Sequence, residues 1–349
     1  MADITVKTPQ QAKALADGLA GGVFWRYVEE QARIGALTPR GIRRLALDAH
    51  DNEARLWLAA RGRELGCEVV YDDLANVFLR RVGSDPSLPP LLIGSHMDSQ
   101  PCAGAYDGAL GVMAGLAILQ GLQAAGMEHR RTVEVVAWTN EEGARFAPGT
   151  SGSSWYAGER AYQDIVPARD DAGMSFGEAL AQTLALLKQD GLAYRPAPVR
   201  PHAYLELHIE QGPILERQGV PVGIVDGIQG VYWYEVTVRG KANHAGTTPR
   251  SARADALDGA HALIGAMKEL VYAHDEQVRF TIGKFSLTPG SVNTIPSEAR
   301  FTIDLRHPDQ AVLQAIDSGF EALAAEPWSN CRVELGRTSA VAAVRFTPE

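Results

Sequence analysis

The sequence predicts an α/β fold in two parts, a mostly parallel sheet with an inserted α+β unit of two helices on a four-stranded antiparallel sheet. Three observations predict it. The first third alternates helical stretches with short apolar runs, the order that gives right-handed crossovers and a parallel sheet. The character changes after Gly212-Pro213, where strand-like alternation surrounds two long helical stretches. The length of 349 residues suffices for two ordinary domains or one large one.

In chain order, residues 10–33 and 51–66 suit helices, and 68–71 and 76–80 suit short strands. Leu91-Leu92-Ile93-Gly94, an apolar run after two prolines, reads as a buried strand. Residues 108–126 form a helix rich in Ala, Leu, Val and Gly, and 132–138 a further strand. A polar stretch from 158 to 200 holds a helix near 177–188. Residues 204–210 alternate strictly, with Leu205, Leu207 and Ile209 on one face and Tyr204, Glu206, His208 and Glu210 on the other. In the second part, strands are expected at 220–225, 232–238, 278–287, 291–305 and 331–335, and helices at 252–273 and 309–324. The domains are then 1–213 and 214–336, with 337–349 beginning a return to the first.

Composition narrows the function. Hydrophobic residues make up 46% and charged residues 21%, and the net charge is -9 without a basic cluster. That argues against a nucleic-acid partner, which needs concentrated Lys and Arg. Cys67, Cys102 and Cys331 are too few and too scattered for a disulfide framework or a metal knuckle. The start, Met1-Ala2-Asp3-Ile4, lacks a signal-peptide pattern, and no apolar stretch has membrane-span length. The expected compartment is the cytoplasm, and neither nucleic acid nor membrane is expected as a partner.

Four polar clusters sit just after or within expected strands: Gly94-Ser95-His96-Met97-Asp98, Ala105-Tyr106-Asp107-Gly108, which opens the next helix, Thr139-Asn140-Glu141-Glu142-Gly143 and Glu206-Leu207-His208-Ile209-Glu210. In an open α/β sheet the carboxyl ends of strands meet at one crevice, so these groups are expected to share a site. His and carboxylate ligands suit zinc, manganese, cobalt or nickel. Two adjacent carboxylates allow one to bind metal while the other moves a proton. Each residue alone has a plainer reading: Asp107 as a helix cap, His96 as a hydrogen-bonded loop histidine, Glu141-Glu142 as a solvated pair, His208 as a solvent-facing strand residue. Their conjunction favours the metal site.

The stretches GSHMDSQPCAGAYDGALGVMAGL, WTNEEGARFAPGTSGSSW, ELHIEQGPILE, GKANHAGTTPRSARADAL and PGSVNTIPSEARFTIDLRHP together resemble the amidase/hydantoinase/carbamoylase family of dinuclear metallopeptidase-like hydrolases. The wording is most similar to N-carbamoyl-L-amino acid hydrolases and yeast-type β-ureidopropionases. The resemblance makes residues 1–213 a catalytic domain and 214–336 a lid through which two chains dimerise. It implies two divalent metal ions, with His96 and His208 on the first, Asp107 bridging, and Glu142 on the second. Glu141 is implied as the general base, and Asp98 as the carboxylate that orients His96. His244 is implied to reach the substrate's carbamoyl oxygen from the partner subunit, with Asn293, Arg306 and Gln229 binding substrate. The implied reaction is hydrolysis of an N-carbamoyl-L-amino acid to the amino acid, ammonia and carbon dioxide. β-Ureidopropionase and allantoate amidohydrolase are the alternatives within the same site.

One departure bears on activity. The family's glycine-rich Gly-His-Asp segment, whose histidine completes the second metal site, has no match after His307. The expectation is a truncated chain with a weakened second metal site and little activity. A non-catalytic dimerising or ligand-binding remnant is the alternative of another class, and the retained Glu141 argues against it.

Overall fold

The computed structural model describes residues 22–346 except Ala197, together with Lys13, Ala16 and Leu19. They fall into two compact units, Met1–Gly219 and Val220–Glu349. The earlier turns of the helix expected over 10–33 lie largely outside the described residues, and the described helix is α1, Val23–Gln31.

The first unit is built on a six-stranded sheet. Its strands in chain order are β1 (Glu68–Tyr71), β2 (Val77–Arg81), β3 (Leu91–His96), β4 (Val133–Trp138), β5 (Ala193–Tyr194) and β6 (Ala203–Leu205), and they lie in the order β5-β1-β2-β4-β3-β6. Only β2 pairs antiparallel with its neighbours, so the sheet is mostly parallel. Both faces are covered, as such sheets require. Val69, Val77, Leu79, Val133 and Val135 point into the main core beside Leu58 of α2 (Ala49–Glu64) and Leu116 of α3 (Ala109–Ala124). The alternate residues Val70, Phe78, Val136 and Trp138 pack on the other face with Tyr156.

Local chemistry fixes the helix starts. Asp48 caps α2 by accepting from the Asp51 amide, and Ser175 and Glu178 form a reciprocal capping box on α4 (Phe176–Gln189). Helix α3 buries residues all round its circumference, which suits a helix enclosed between sheet and neighbours.

The second unit is an antiparallel sheet under two helices. Strands β7 (Gly230–Arg239), β8 (Arg279–Thr281), β9 (Phe285–Thr288), β10 (Glu298–His307) and β11 (Arg332–Val341) take the order β8-β10-β7-β11, with β9 also against β10. The sheet is four positions wide because β8 and β9 share one side of β10. The single strand expected over 278–287 is split there: between Thr281↔Asp304 and Phe285↔Phe301, four steps on one strand meet three on the other, a bulge. Ala299, Phe301, Ile303 and Leu305 alternate inward beneath α5 (Ala256–Tyr272) and α6 (Gln310–Ala325).

Three expectations are corrected. Residues 220–225 form no strand; Val222, Ile224 and Val225 are exposed. The run expected over 204–210 stops at Leu205, because Glu206 and Glu210 turn their carboxylates to local partners instead of continuing a ladder. Residues 337–341 begin no return, since β11 stays paired with β7 as far as Val341.

Candidate metal centre

Strand β3 delivers His96, 1% exposed, to the carboxyl end of the sheet. Its Nδ1 lies 2.9 Å from the main-chain carbonyl of Asp98. A carbonyl only accepts, so that nitrogen carries the proton and Nε2 offers its lone pair. His208 is set the same way, with Nδ1 2.8 Å from the carbonyl of Ile209. The two rings stack with centroids 5.8 Å apart. Nε2 of His96 faces Glu141 Oε2 at 3.3 Å, and Nε2 of His208 faces Asp107 Oδ1 at 3.4 Å. A lone pair opposed to a carboxylate oxygen repels it unless a cation, proton or metal, stands between them.

Asp107 is not a helix cap: Gly108 occupies the cap position of α3, and no side chain caps it. Instead Oδ2 accepts from Gln211 Nε2 at 2.7 Å, while Oδ1 is buried without a hydrogen bond. Glu142 repeats the pattern, with Oε2 accepting from Gln100 Nε2 at 2.8 Å and Oε1 buried and unbonded. Two carboxylate oxygens stripped of water and left without donors are costly. Divalent cations would satisfy both. His96, Asp107 and His208 each offer an atom within 4.8 Å of the other two. This imidazole and carboxylate set fits a borderline or hard divalent ion.

The loop after β4 carries Glu141 and Glu142 and is stitched closed. Asn140, fully buried and in the left-handed region, donates Nδ2 to Phe146 O and Ser151 Oγ, both at 2.8 Å. Asp98 holds the same loop from the other side, accepting the amides of Glu141 at 3.1 Å and Glu142 at 3.2 Å. Its carboxylate stands 3.8 Å from His96 Nδ1. The orienting role expected of that carboxylate therefore falls to the Asp98 main-chain carbonyl, and the carboxylate sets the glutamates instead.

Burial pushes the carboxyls of Glu141 and Glu142 above their usual range, and that of Asp98 to about 6. At His96 burial opposes the charged ring, but the Asp98 and Glu141 carboxylates outweigh it and raise its pKa.

Sequence reasoning missed the groups that hold these candidate ligands. Ser95 Oγ makes a short hydrogen bond to Glu206, whose other oxygen accepts from Tyr204 OH at 2.7 Å, and Trp138 Nε1 reaches that hydroxyl at 3.0 Å. This chain ties β3 to the segment that carries His208 beyond the last ladder pair, Ile93↔Leu205. Gln100 and Gln211 were also missed; the only sequence signal was their place beside the quoted motifs.

In the second unit His244 and Asn293 come together. Asn243–His244 pairs with Thr294–Ile295, Ala245 N donates to Asn293 O at 3.0 Å, and both side chains are exposed. Arg306 is bound in a two-pronged pair with Asp304, Nε and Nη2 each 2.8 Å from a carboxylate oxygen. Gln229 is exposed next to Gly230, which pairs with His307.

The sequence matches peptidase family M20/M25/M40 over residues 92–327. It is 35% identical over 299 residues to an N-carbamoyl-L-amino-acid amidohydrolase of Rhizobium meliloti, covering 86% of this chain and 71% of that protein. It is likewise 35% identical over 300 residues to an allantoate amidohydrolase of Bacillus subtilis, covering 85% and 71%. A hydantoinase/carbamoylase family amidase from Burkholderia ambifaria has a similar fold, with a TM-score of 0.77 at 38% identity over 93% of this chain and 79% of that one. No helix among the described residues is long and apolar enough to cross a membrane. With its mixed α/β fold and its cluster of histidines and carboxylates, the chain belongs to peptidase family M20/M25/M40 and is a hydrolase similar to the hydantoinase/carbamoylase amidases.

Proposed function

We propose that this chain is a cytoplasmic, homodimeric hydrolase of N-carbamoyl-L-amino acids. The observation that carries the reading is the convergence of His96, Asp107 and His208 within 4.8 Å beside the raised carboxyl of Glu141. His96, Asp107 and His208, with Glu142, would hold two divalent cations, zinc or one of manganese, cobalt and nickel. Such ions supply Lewis acidity, making water more acidic and a carbonyl more electrophilic.

Glu141 takes a proton from the attacking water at its carboxylate and returns it to the departing amino-acid nitrogen. One water consumed per urea-type linkage then yields the amino acid, ammonia and carbon dioxide. Asp98 keeps Glu141 aimed through the amide it binds. His244, contributed by the partner subunit, donates to the oxygen on which charge develops. Asn293, Arg306 and Gln229 hold the substrate, with the guanidinium fork of Arg306 on its carboxylate.

Allantoate is the alternative substrate, favoured by the 35% identity to the Bacillus subtilis enzyme. N-Carbamoyl-β-alanine is the other. The test is a panel of these three substrates with the metal-loaded protein, reading ammonia release. Turnover of N-carbamoyl-L-amino acids at least tenfold better than of the other two supports the proposal; no turnover, or a preference for allantoate or N-carbamoyl-β-alanine, rejects it.

A further inference from the structure

We propose that Arg44 and Gln31 are positioning residues that clasp the two ends of the loop between His96 and Asp107, holding these two residues at the separation the cations need. The proposal rests on the metal reading above but concerns residues that reading does not use.

His96 and Asp107 bound one loop, and residues 40–44 cross it as a strap. On one side Ser99 N donates to Arg44 O at 2.7 Å, and Arg44 N donates to Ser99 Oγ at 2.8 Å. On the other, Gly41–Ile42 pairs with Ala103–Gly104, and Ala105 N donates to Arg40 O at 3.0 Å. The strap thus grips the chain just after His96 and just before Asp107.

The Arg44 side chain completes the grip from beneath. It is fully buried, and its fork reaches three acceptors: Nε to Met97 O at 2.7 Å, Nη1 to Gln31 O at 3.0 Å, and Nη2 to Gln31 Oε1 at 2.7 Å. Gln31, also fully buried, passes the connection on, donating Nε2 to Ala105 O at 2.8 Å. One rigid path therefore runs from the carbonyl next to His96, through a guanidinium and an amide, to the carbonyl two residues before Asp107.

A buried cation whose bonded partners are all neutral is expensive. Burial lowers the Arg44 pKa to about 10, and the charges of Asp51, Asp98 and Asp48 offset this, so the group stays protonated near neutral pH. A neutral residue filling the same space would stabilise the fold as well; what it lacks is a planar fork with donors at fixed angles. The geometry suits a role in setting loop spacing more than a role in packing.

The test uses the whole 349-residue chain loaded with cobalt, with two variants. R44K keeps the charge but replaces the fork with a single ammonium. Q31E is isosteric and keeps an acceptor for Arg44, yet it puts a carboxylate oxygen against Ala105 O in place of a donor. The readouts are cobalt affinity by chelator competition, the visible absorption of the bound cobalt, and melting of the metal-free protein. Both variants should bind cobalt about 10- to 100-fold more weakly with an altered spectrum, while the metal-free Q31E melts near the wild type. Wild-type affinity and spectrum in both variants would overturn the clasp alone. So would a loss of affinity that merely tracks a loss of metal-free stability. A wild type that takes up no cobalt would overturn the metal reading itself and the clasp with it.

Discussion

A Cβ placed on Gly108 would stand 2.3 Å from Nε2 of His96, the nitrogen that carries the ligand lone pair. Gly108 also holds φ at +62°, a backbone conformation that glycine adopts readily and a residue with a side chain does not. The glycine lets the start of α3 bring Asp107 against the two histidines. Gly108→Ala should therefore weaken metal binding far more than it weakens the fold, because the methyl must displace the His96 ring. Calorimetric metal titration beside thermal unfolding of the metal-free protein checks this. Equal metal affinity in variant and wild type would show that the ring has room to move.

Glu141 and Glu142 are adjacent in sequence but differently engaged. Glu142 is held by Gln100 and keeps one oxygen buried and unbonded, whereas Glu141 faces His96 Nε2 at 3.3 Å. Glu141→Gln should lower kcat about 10²- to 10⁴-fold, the usual contribution of a general base, with metal content unchanged. Glu142→Gln should lower metal content first. Metal analysis and steady-state rates on both variants separate the roles, and the reverse pattern would exchange the two assignments.

Much of this was legible in the sequence, and the limits have physical causes. Strands β1, β3 and β4 and helices α3, α5 and α6 follow from apolar runs and helical periodicity, signals that arise within one segment. The candidate cluster of His96, Asp107 and His208 was readable because each residue sits in a compact polar motif. The supports were not readable. Gln31 and Arg44 bind main-chain carbonyls of a loop that lies dozens of residues away in sequence, and nothing local marks a buried guanidinium. The overlong strand at 204–210 failed for a related reason. Alternation describes what a strand would do with Glu206, but the Ser95 hydroxyl decides what Glu206 does.

Asp72 offers a pH test away from the metal. It is buried and accepts from the Leu74 and Asn76 amides, each at 3.0 Å, and from Asn76 Nδ2 at 2.9 Å. Burial still raises its carboxyl to about 7 against those bonds. A carboxyl raised in the folded state adds stability below its ordinary range near 4, and that contribution is lost as pH rises through about 7. Asp72→Asn removes the titration and puts an amide donor against Asn76 Nδ2. The variant should be less stable at pH 5, with the gap to wild type narrowing by pH 8. Denaturant unfolding at the two pH values measures it; a gap that stays constant or widens would mean that Asp72 is ionised throughout.

Arg306 is the residue for which the plain and the functional readings make opposite forecasts. Its fork is bonded to Asp304 through two contacts of 2.8 Å, an arrangement a simple strand ion pair would also show. An exposed pair of that kind is worth less than about 1 kcal/mol. Its loss through Arg306→Lys, which keeps the charge but not the fork, would barely register in stability or rate. If the fork instead exchanges Asp304 for the substrate carboxylate, Arg306→Lys should raise KM about 10- to 100-fold with little change in kcat, the pattern of binding lost equally from ground and transition states. Asp304→Asn should move KM the other way, since it removes the anion that competes with substrate for the same two donors. Steady-state kinetics on the two variants decide the matter, and an unchanged KM in both would reduce Arg306 to a strand ion pair.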